Sequence, residues 1–338
     1  MTNSTNIYDI AIIGAGLAGL TCAQHLQQQR YQVIVLDKSR GVGGRVATRR
    51  INNTCVDHGL SFLQIQGKQT EELIQQLTQA KILQLWDGKI YQLDSQNNLQ
   101  PTPPVKHYIV PEGINAIAKY LARDLEIKKQ FQVTAIKPIE NIWQILTESN
   151  DQIKAKAIVM AIPAPQALPI LESQVPTKLI NQLRQVQFYP CITVMAGYDS
   201  QYLSDLPSWQ GVRINNQTDL IWIALDSSKR DTATQPVFVF HSTAEFTQKY
   251  LDATDLQPAG KQLLQQAASV LLPWLDSPQW LQVHRWRYSI PSYSLSSPCL
   301  STTQPLPLVC CGDWCNGNGV EDALISGVAS AAKISGLI

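Results

Sequence analysis

The chain has 338 residues, with 27 Lys and Arg against 26 Asp and Glu and a net charge of +1. That length supports a large core and two domains, and the balanced charge leaves no electrostatic footprint for nucleic acid or an anionic membrane surface. No apolar run reaches the roughly 18 residues of a membrane span, and the polar start MTNSTN lacks a basic-then-apolar targeting signal, which points to the cytoplasm. The cysteines (22, 55, 191, 299, 310, 311 and 315) are odd in number and form no C-x-x-C pair, so they read as reduced thiols.

In chain order, residues 10–13 are a short apolar, β-branched run suited to a buried parallel strand. Gly14, Gly16 and Gly19 then make G-x-G-x-x-G, residues 20–29 continue as a helix, and residues 33–36 form a second strand closed by Asp37. In such a unit Gly14 permits the tight turn, Gly16 lets backbone approach a pyrophosphate, and Gly19 lets the helix pack on the strand. The N–H groups at the helix start, around Leu17 and Ala18, face the phosphates. A carboxylate at Asp37 accepts from the ribose hydroxyls. The spacing predicts dinucleotide binding.

Residues 38–50, KSRGVGGRVATRR, add a second glycine arc through Gly41, Gly43 and Gly44, followed by Arg45. Its pattern resembles the second fingerprint of FAD enzymes of the amine-oxidase-like and hydroxylase-like group. Lys38, Gly44 and Arg45 are the expected contacts, Arg45 through charge-assisted bonds. Arg49 and Arg50 are read either as part of that arc or as a solvated basic turn. Cys55 or Cys315 offers a thiol to a flavin, but non-covalent binding is the expectation.

Residues 55–65, CVDHGLSFLQI, bring the chain back across the cofactor; His58 has two readings, an active-site base or a hydrogen-bonded loop histidine, and as a loop residue it is counted among the cofactor contacts. An amphipathic helix is expected over 70–80, a strand–turn–strand over 82–93 around Asp87 and Gly88, and a helix after Pro111-Glu112-Gly113. Residues 130–136 form a strand, and the resemblance to FAD enzymes implies that its backbone, at Val133, reads the adenine. Residues 142–148 and 153–160 pair through a turn at Asn150-Asp151. Strands over 188–198, 220–225 and 237–241, with helices over 245–252 and 263–272, predict an antiparallel sheet with helices on one side. This region has no second G-x-G-x-x-G and no C-x-x-x-x-C, which excludes the two-nucleotide disulfide-reductase plan. A buried strand over 308–311 leads to Gly312-Asp313, with Asp313 aimed at the ribityl or pyrophosphate. A final helix opens at Asn318-Gly319-Val320, its N-terminus near Val320 facing the flavin N1–C2=O edge.

The expected fold class is α/β: a Rossmann-type FAD-binding domain (1–65, 105–165 and 288–338) with a second α+β substrate domain (66–104 and 166–287). KSRGVGGRVATRR, DHGLSF, the residues from His241 to Asp252, HRWRYSIP and GDWCNGNGVEDALISG together resemble the renalase family, particularly its bacterial members. The resemblance implies a hydroxybenzoate-hydroxylase-like fold and a soluble FAD oxidase acting on 2- or 6-dihydro isomers of NAD(P). Hydride passes to flavin N5, and O2 reoxidises the flavin to give H2O2. Where that family has Arg-Val-Glu-Gly, this chain has Gly319-Val320-Glu321-Asp322, and Leu60-Ser61 replaces Ala-Gln. Both departures lie near the expected ring.

Such chemistry needs a shaped, dry, stacking pocket rather than a general base. Phe62, Trp222, Trp286 and Tyr288 are candidates for its wall, each equally a core residue by sequence, and His241 and Arg287 for polar orientation or phosphate contact. Two rival readings remain: a flavin amine oxidase or desaturase-like enzyme, and an FAD-bound protein without turnover, which an acid at Asp322 would favour. No metal site is expected.

Overall fold

The first strand, β1 (Ile7–Ile13), carries the apolar run into the centre of a sheet, where Ile10, Ala11 and Ile12 are fully buried. A computed structural model describes residues 7–148, 151–215 and 218–338 of the protein. The opening hexapeptide and Asn150 lie outside the described residues. Helix α1 (Leu17–Gln28) and β2 (Val33–Asp37) complete the expected crossover, with β1 and β2 parallel and Ile10 opposite Val33. The chain then forms a hairpin of β3 (Thr48–Ile51) and β4 (Thr54–Asp57), and α2 (Lys68–Gln79). Next come β5 (Gln84–Trp86), β6 (Ile90–Leu93), β7 (Leu99–Pro101), β8 (His107–Ile109) and α3 (Ala116–Leu121). Strands β9 (Glu126–Lys129), β10 (Val133–Ile139), β11 (Ile142–Thr147) and β12 (Gln152–Met160) lead to α4 (Ala164–Leu171) and α5 (Thr177–Gln185). There follow β13 (Gln187–Gly197), β14 (Gly211–Ile214), β15 (Leu220–Leu225), β16 (Val237–Ser242), α6 (Ala244–Lys249), α7 (Gln257–Val270) and β17 (Trp280–Tyr293). The chain closes with β18 (Leu300–Thr302), β19 (Leu308–Cys310) and α8 (Val320–Ser335).

Two large sheets result. In the first, β9, β2, β1, β12 and β19 run parallel. Strand β12 divides its outer edge: its first half pairs with β11 and its second with β19. Buried side chains of α1, α2, α3 and α8 cover one face and those of α4 and α5 the other. The second sheet has the order β17-β13-β16-β15-β14-β6-β7. Its alternation is clean: Ile192, Val194, Phe238 and Phe240 pack against Leu263, Leu264 and Ala267 of α7. Met195, Val237 and Val239 turn to Ile51 and Val56 of the β3–β4 hairpin.

Two expectations need correction, and one strand was not foreseen. Strands β5 and β6 form, but they do not pair: β5 joins β8, and β6 joins β7 and β14. Gly88 lies so close to the Trp86 ring that a Cβ there would stand 2.4 Å from it, and at this point the chain passes between sheets. The β6–β14 pair is parallel, so the second sheet is not purely antiparallel. Strand β9, sequence EIKK, was not expected; an exposed edge strand carries no apolar period to reveal it. Because α2, α4 and α5 pack on the first sheet, we propose that the nucleotide-binding half takes in these helices as well.

Four buried charges join the halves. Lys229 Nζ contacts Asp226 at 2.6 Å and Asp57 at 3.2 Å, and Arg230 contacts the same two carboxylates at 2.8 and 3.3 Å. Asp57 also accepts from Ile114 N at 2.8 Å and Thr48 Oγ1 at 2.7 Å. Removing one member of such a cluster strands its partners without solvent. Lys229→Met is expected to cost about 3–5 kcal/mol, read by urea denaturation; a loss below about 1 kcal/mol would show that the cluster is solvated.

Candidate functional site

The fingerprint glycines divide into two kinds. Gly14 has φ +111°, and a Cβ there would lie 2.5 Å from Ala161 O. A Cβ on Gly19 would lie 2.1 Å from Gly14 O. The protein's own atoms therefore demand both glycines. Gly16 is different: no atom lies within 4 Å of where its Cβ would be. It bridges Gly43, whose N–H donates to Ala15 O at 2.8 Å, and Gly44 (φ +57°) would bring a Cβ within 3.5 Å of the Gly16 Cα. Two glycine arcs thus form a backbone trough that a side chain would fill, at the start of α1, which has neither a capping side chain nor an acid in its first turn. That is a place for a pyrophosphate.

Asp37 ends β2 beside this trough, accepting from Ala15 N and Ser39 N, each at 2.7 Å. A carboxylate has further lone pairs for hydroxyl donors. Lys38 is exposed next to it, and Val133 stands near the same end because Phe131 N donates to Asp37 O at 2.9 Å. Leu17 and Ala18 open α1 and pack in its core. Arg45 and Asp313, expected as separate cofactor contacts, grip one another: two parallel bonds of 2.7 Å, with Arg45 also donating to Ser289 O at 2.9 Å. Val320 begins α8. The two acids that follow it are both engaged. Glu321 accepts from Gln69 N and Thr70 N at the start of α2, and Asp322 accepts from Asn318 N and Gly319 N.

Facing this groove, direct cross-strand partners set Trp222, His241, Thr193 and His284 in one row across β15, β16, β13 and β17. Trp286 follows two residues after His284 on the same face. His58 packs beneath, stacked on Trp286 at 5.4 Å and edge-on to His284 at 5.1 Å, and Trp286 Nε1 donates to His58 O at 3.1 Å. Phe62 touches His107, Trp86 and Trp222, with ring centroids 4.3, 6.0 and 5.9 Å away. Trp222 Nε1 donates to Ser61 Oγ at 3.1 Å, which gives the unusual Ser61 a partner. Sequence reasoning missed Trp86, His107, His284 and Thr193; the period-two alternation through HRWRY would have found His284.

That same alternation corrects Arg287. It points to the opposite face and pairs with Asp252 at 2.8 Å, both exposed, away from the site. Tyr288 lies edge-on to Phe188 at 5.6 Å, beyond an irregularity in the β13–β17 register.

The row is held uncharged. Burial, then the charges of His284 and Arg49, push His58 down to about 3. Burial and Lys229 bring His241 to about 4, and burial with Arg49 and Arg285 brings His284 to about 4. His58 Nδ1, His241 Nε2 and Thr193 Oγ1 are buried without hydrogen-bond partners among the described residues.

Among the described residues no cluster of potential metal ligands occurs, and no helix is long and apolar enough to cross a membrane. A family model described as "Flavin containing amine oxidoreductase" matches residues 105–335. The chain belongs to this family. An NAD(P)-binding Rossmann-like domain matches residues 12–77. Renalase of Mus musculus is 23% identical over 341 residues, 96% of both chains. Putrescine oxidase bound to putrescine superimposes with a TM-score of 0.75 at 14% identity, over 98% of this chain and 99% of the other. Cyclohexylamine oxidase of Brevibacterium oxydans gives 0.74 at 13% identity, over 98% and 99%. Such structural likeness establishes the fold. The protein is a renalase-like flavin-dependent oxidoreductase of the amine oxidoreductase family.

The depressed histidines have a consequence for stability. Below pH about 6.5 an unfolded histidine takes a proton that the folded one refuses. Stability is therefore expected to fall as pH drops from about 6.5, with the His241 and His284 contributions complete near pH 4 and that of His58 near pH 3. Urea titrations across the window test it. His284→Gln should make the decline shallower, and a flat profile from pH 7 to 5 would contradict the neutral assignment.

Proposed function

We propose that the chain binds FAD non-covalently and oxidises misreduced 2- or 6-dihydro isomers of NAD(P), with O2 as the acceptor. The observation that carries this reading is the uncharged row of Trp222, His241, Thr193 and His284, with Trp286 and His58 beside it. An amine oxidase or desaturase needs a pocket for a neutral amine or a long apolar substrate, neither of which calls for nearby cations, whereas a nucleotide tail does. Here the nearby charges on the histidines are those of Arg49, Lys229 and Arg285, and Asp57 and Asp226 are consumed by Lys229 and Arg230. A neutral dihydropyridine carrying an anionic tail suits such surroundings. The similarity to renalase over 96% of the chain supports the same conclusion.

The trough at Gly16, Gly43 and Gly44 fits the pyrophosphate of FAD, Asp37 its ribose, and the start of α8 its ring edge. A flavin held there would supply a two-electron acceptor for the substrate's hydride, with O2 as the terminal oxidant and H2O2 as its product. The residues of the chain hold the two rings in register and keep water out. His241 is the candidate for polar orientation of the ring, and Phe62, Trp222 and Trp286 for its wall. Burial raises the Cys315 thiol far above its ordinary range, which supports a non-covalent flavin. The amine-oxidase reading keeps the fold likeness in its favour. The reading without turnover rested on Asp322 at the ring, and that carboxylate is turned to its own loop.

Anaerobic bleaching decides between them. Rapid bleaching by dihydronicotinamide isomers and none by primary amines is expected; bleaching by amines alone would replace the reading. Asp37→Ala should weaken FAD binding by about 1.5–3 kcal/mol, measured by flavin fluorescence, and unchanged affinity would remove Asp37 from the ribose site. Trp286→Ala should retain FAD and slow its reduction; loss of folding instead would make Trp286 a core residue.

A further inference from the structure

The row that carries the histidines does not stop at Trp222. Arg213 of β14 lies directly opposite Trp222, and Gln92 of β6 directly opposite Arg213. Direct partners in a sheet share a face, so Gln92, Arg213, Trp222, His241, Thr193 and His284 form one continuous line. Arg213 is exposed and makes no hydrogen bond or ion pair among the described residues. The other cations of this face are engaged: Arg49 donates to Gln282 Oε1 at 3.2 Å, and Lys229 and Arg230 belong to the buried cluster. The Trp222 indole does not cover the guanidinium, because it leans over Gly211, where a Cβ would meet the ring at 2.4 Å, and toward Ser61. His107, beneath Phe62, is lowered by burial and then by the charge of Arg213, which places that charge on the aromatic side of the row.

We propose that Arg213 is the specificity residue that anchors a phosphate of the substrate's nucleotide tail. The proposal rests on the dihydronicotinamide reading. Strands are spaced about 4.8 Å apart, so Arg213 stands two strands, or about 10 Å, from His241. A ribose and its 5′-phosphate span that interval when the pyridine ring lies against His241 and Trp222. The guanidinium fork matches two phosphate oxygens, and Gln92 adds an amide beside it. The hydride leaves the ring without involvement of Arg213, so its contribution is to binding and not to the chemical step.

The test compares holoenzyme with Arg213→Gln, using nicotinamide mononucleotide and nicotinamide riboside, which differ by the phosphate. Calorimetry on the oxidised holoenzyme should show the mononucleotide bound about 10- to 100-fold more tightly than the riboside. Arg213→Gln should erase that difference while leaving riboside affinity within about twofold. In turnover with the dihydro forms, the variant should raise KM for the mononucleotide and leave kcat unchanged. Equal binding of both ligands to the unaltered protein, no binding of either, or equal losses for both in Arg213→Gln would overturn the assignment. Failure of any dihydronicotinamide to bleach the flavin would instead overturn the parent reading, whatever calorimetry shows for Arg213.

Discussion

Four charges without solvent fix the relation between the two sheets. Asp57 ends β4 and immediately precedes His58, while Asp226, Lys229 and Arg230 follow β15, the strand of Trp222. The bonds among them set the histidine loop against the sheet row that faces it. Ion clusters of this kind contribute little net stability relative to an apolar substitute, but they penalise any other arrangement severely. They also place Lys229 close enough to His241 to oppose its protonation. A single device thereby sets both the geometry of the groove and its electrical character.

The groove divides its work between backbone and side chains. On the side of the fingerprint, the groups proposed for recognition are peptide groups: the glycine arcs, the start of α1 and the start of α8. Side-chain carboxylates there serve the scaffold, with Glu321 holding α2 and Asp322 holding its own loop. On the facing side stand aromatic rings and neutral histidines carried on alternate residues of a sheet, the groups proposed to meet the substrate. Sites built on strands are better positioned than sites on loops, and the bonds from Trp222 to Ser61 and from Trp286 to His58 O tie the rings to the opposite wall.

The nucleotide half was readable because its signals are local. Gly14, Gly16, Gly19 and Asp37 lie within one crossover, and each obeys a steric or hydrogen-bonding rule expressed in adjacent residues. The final helix, opened by Gly319 and Val320, was legible for the same reason. The facing wall was not, because its order comes from register between distant strands: Trp222, His241, Thr193 and His284 meet only through pairings of β13, β15, β16 and β17. Composition marked the aromatic residues but could not separate Trp286, facing the groove, from Arg287, facing solvent, until strand alternation was imposed. The mutual grip of Arg45 and Asp313 spans 268 positions and left no local trace. Strand β6 parted from β5 against local expectation, since pairing with β14 buries Ile90 and Leu93.

Gly327 sits where helix α8 crosses α1, so close that a Cβ would be 2.6 Å from Ala18 O. Glu321 meanwhile reaches back to the first turn of α2. The opening crossover therefore lacks one wall until α8 has been synthesised and docked. Contacts of such separation form late, after the cost of closing a long loop has been met. A nascent chain thus presents a recognisable glycine fingerprint well before the helix that packs against it has been made, and the two ends of the sequence complete one structural unit only together.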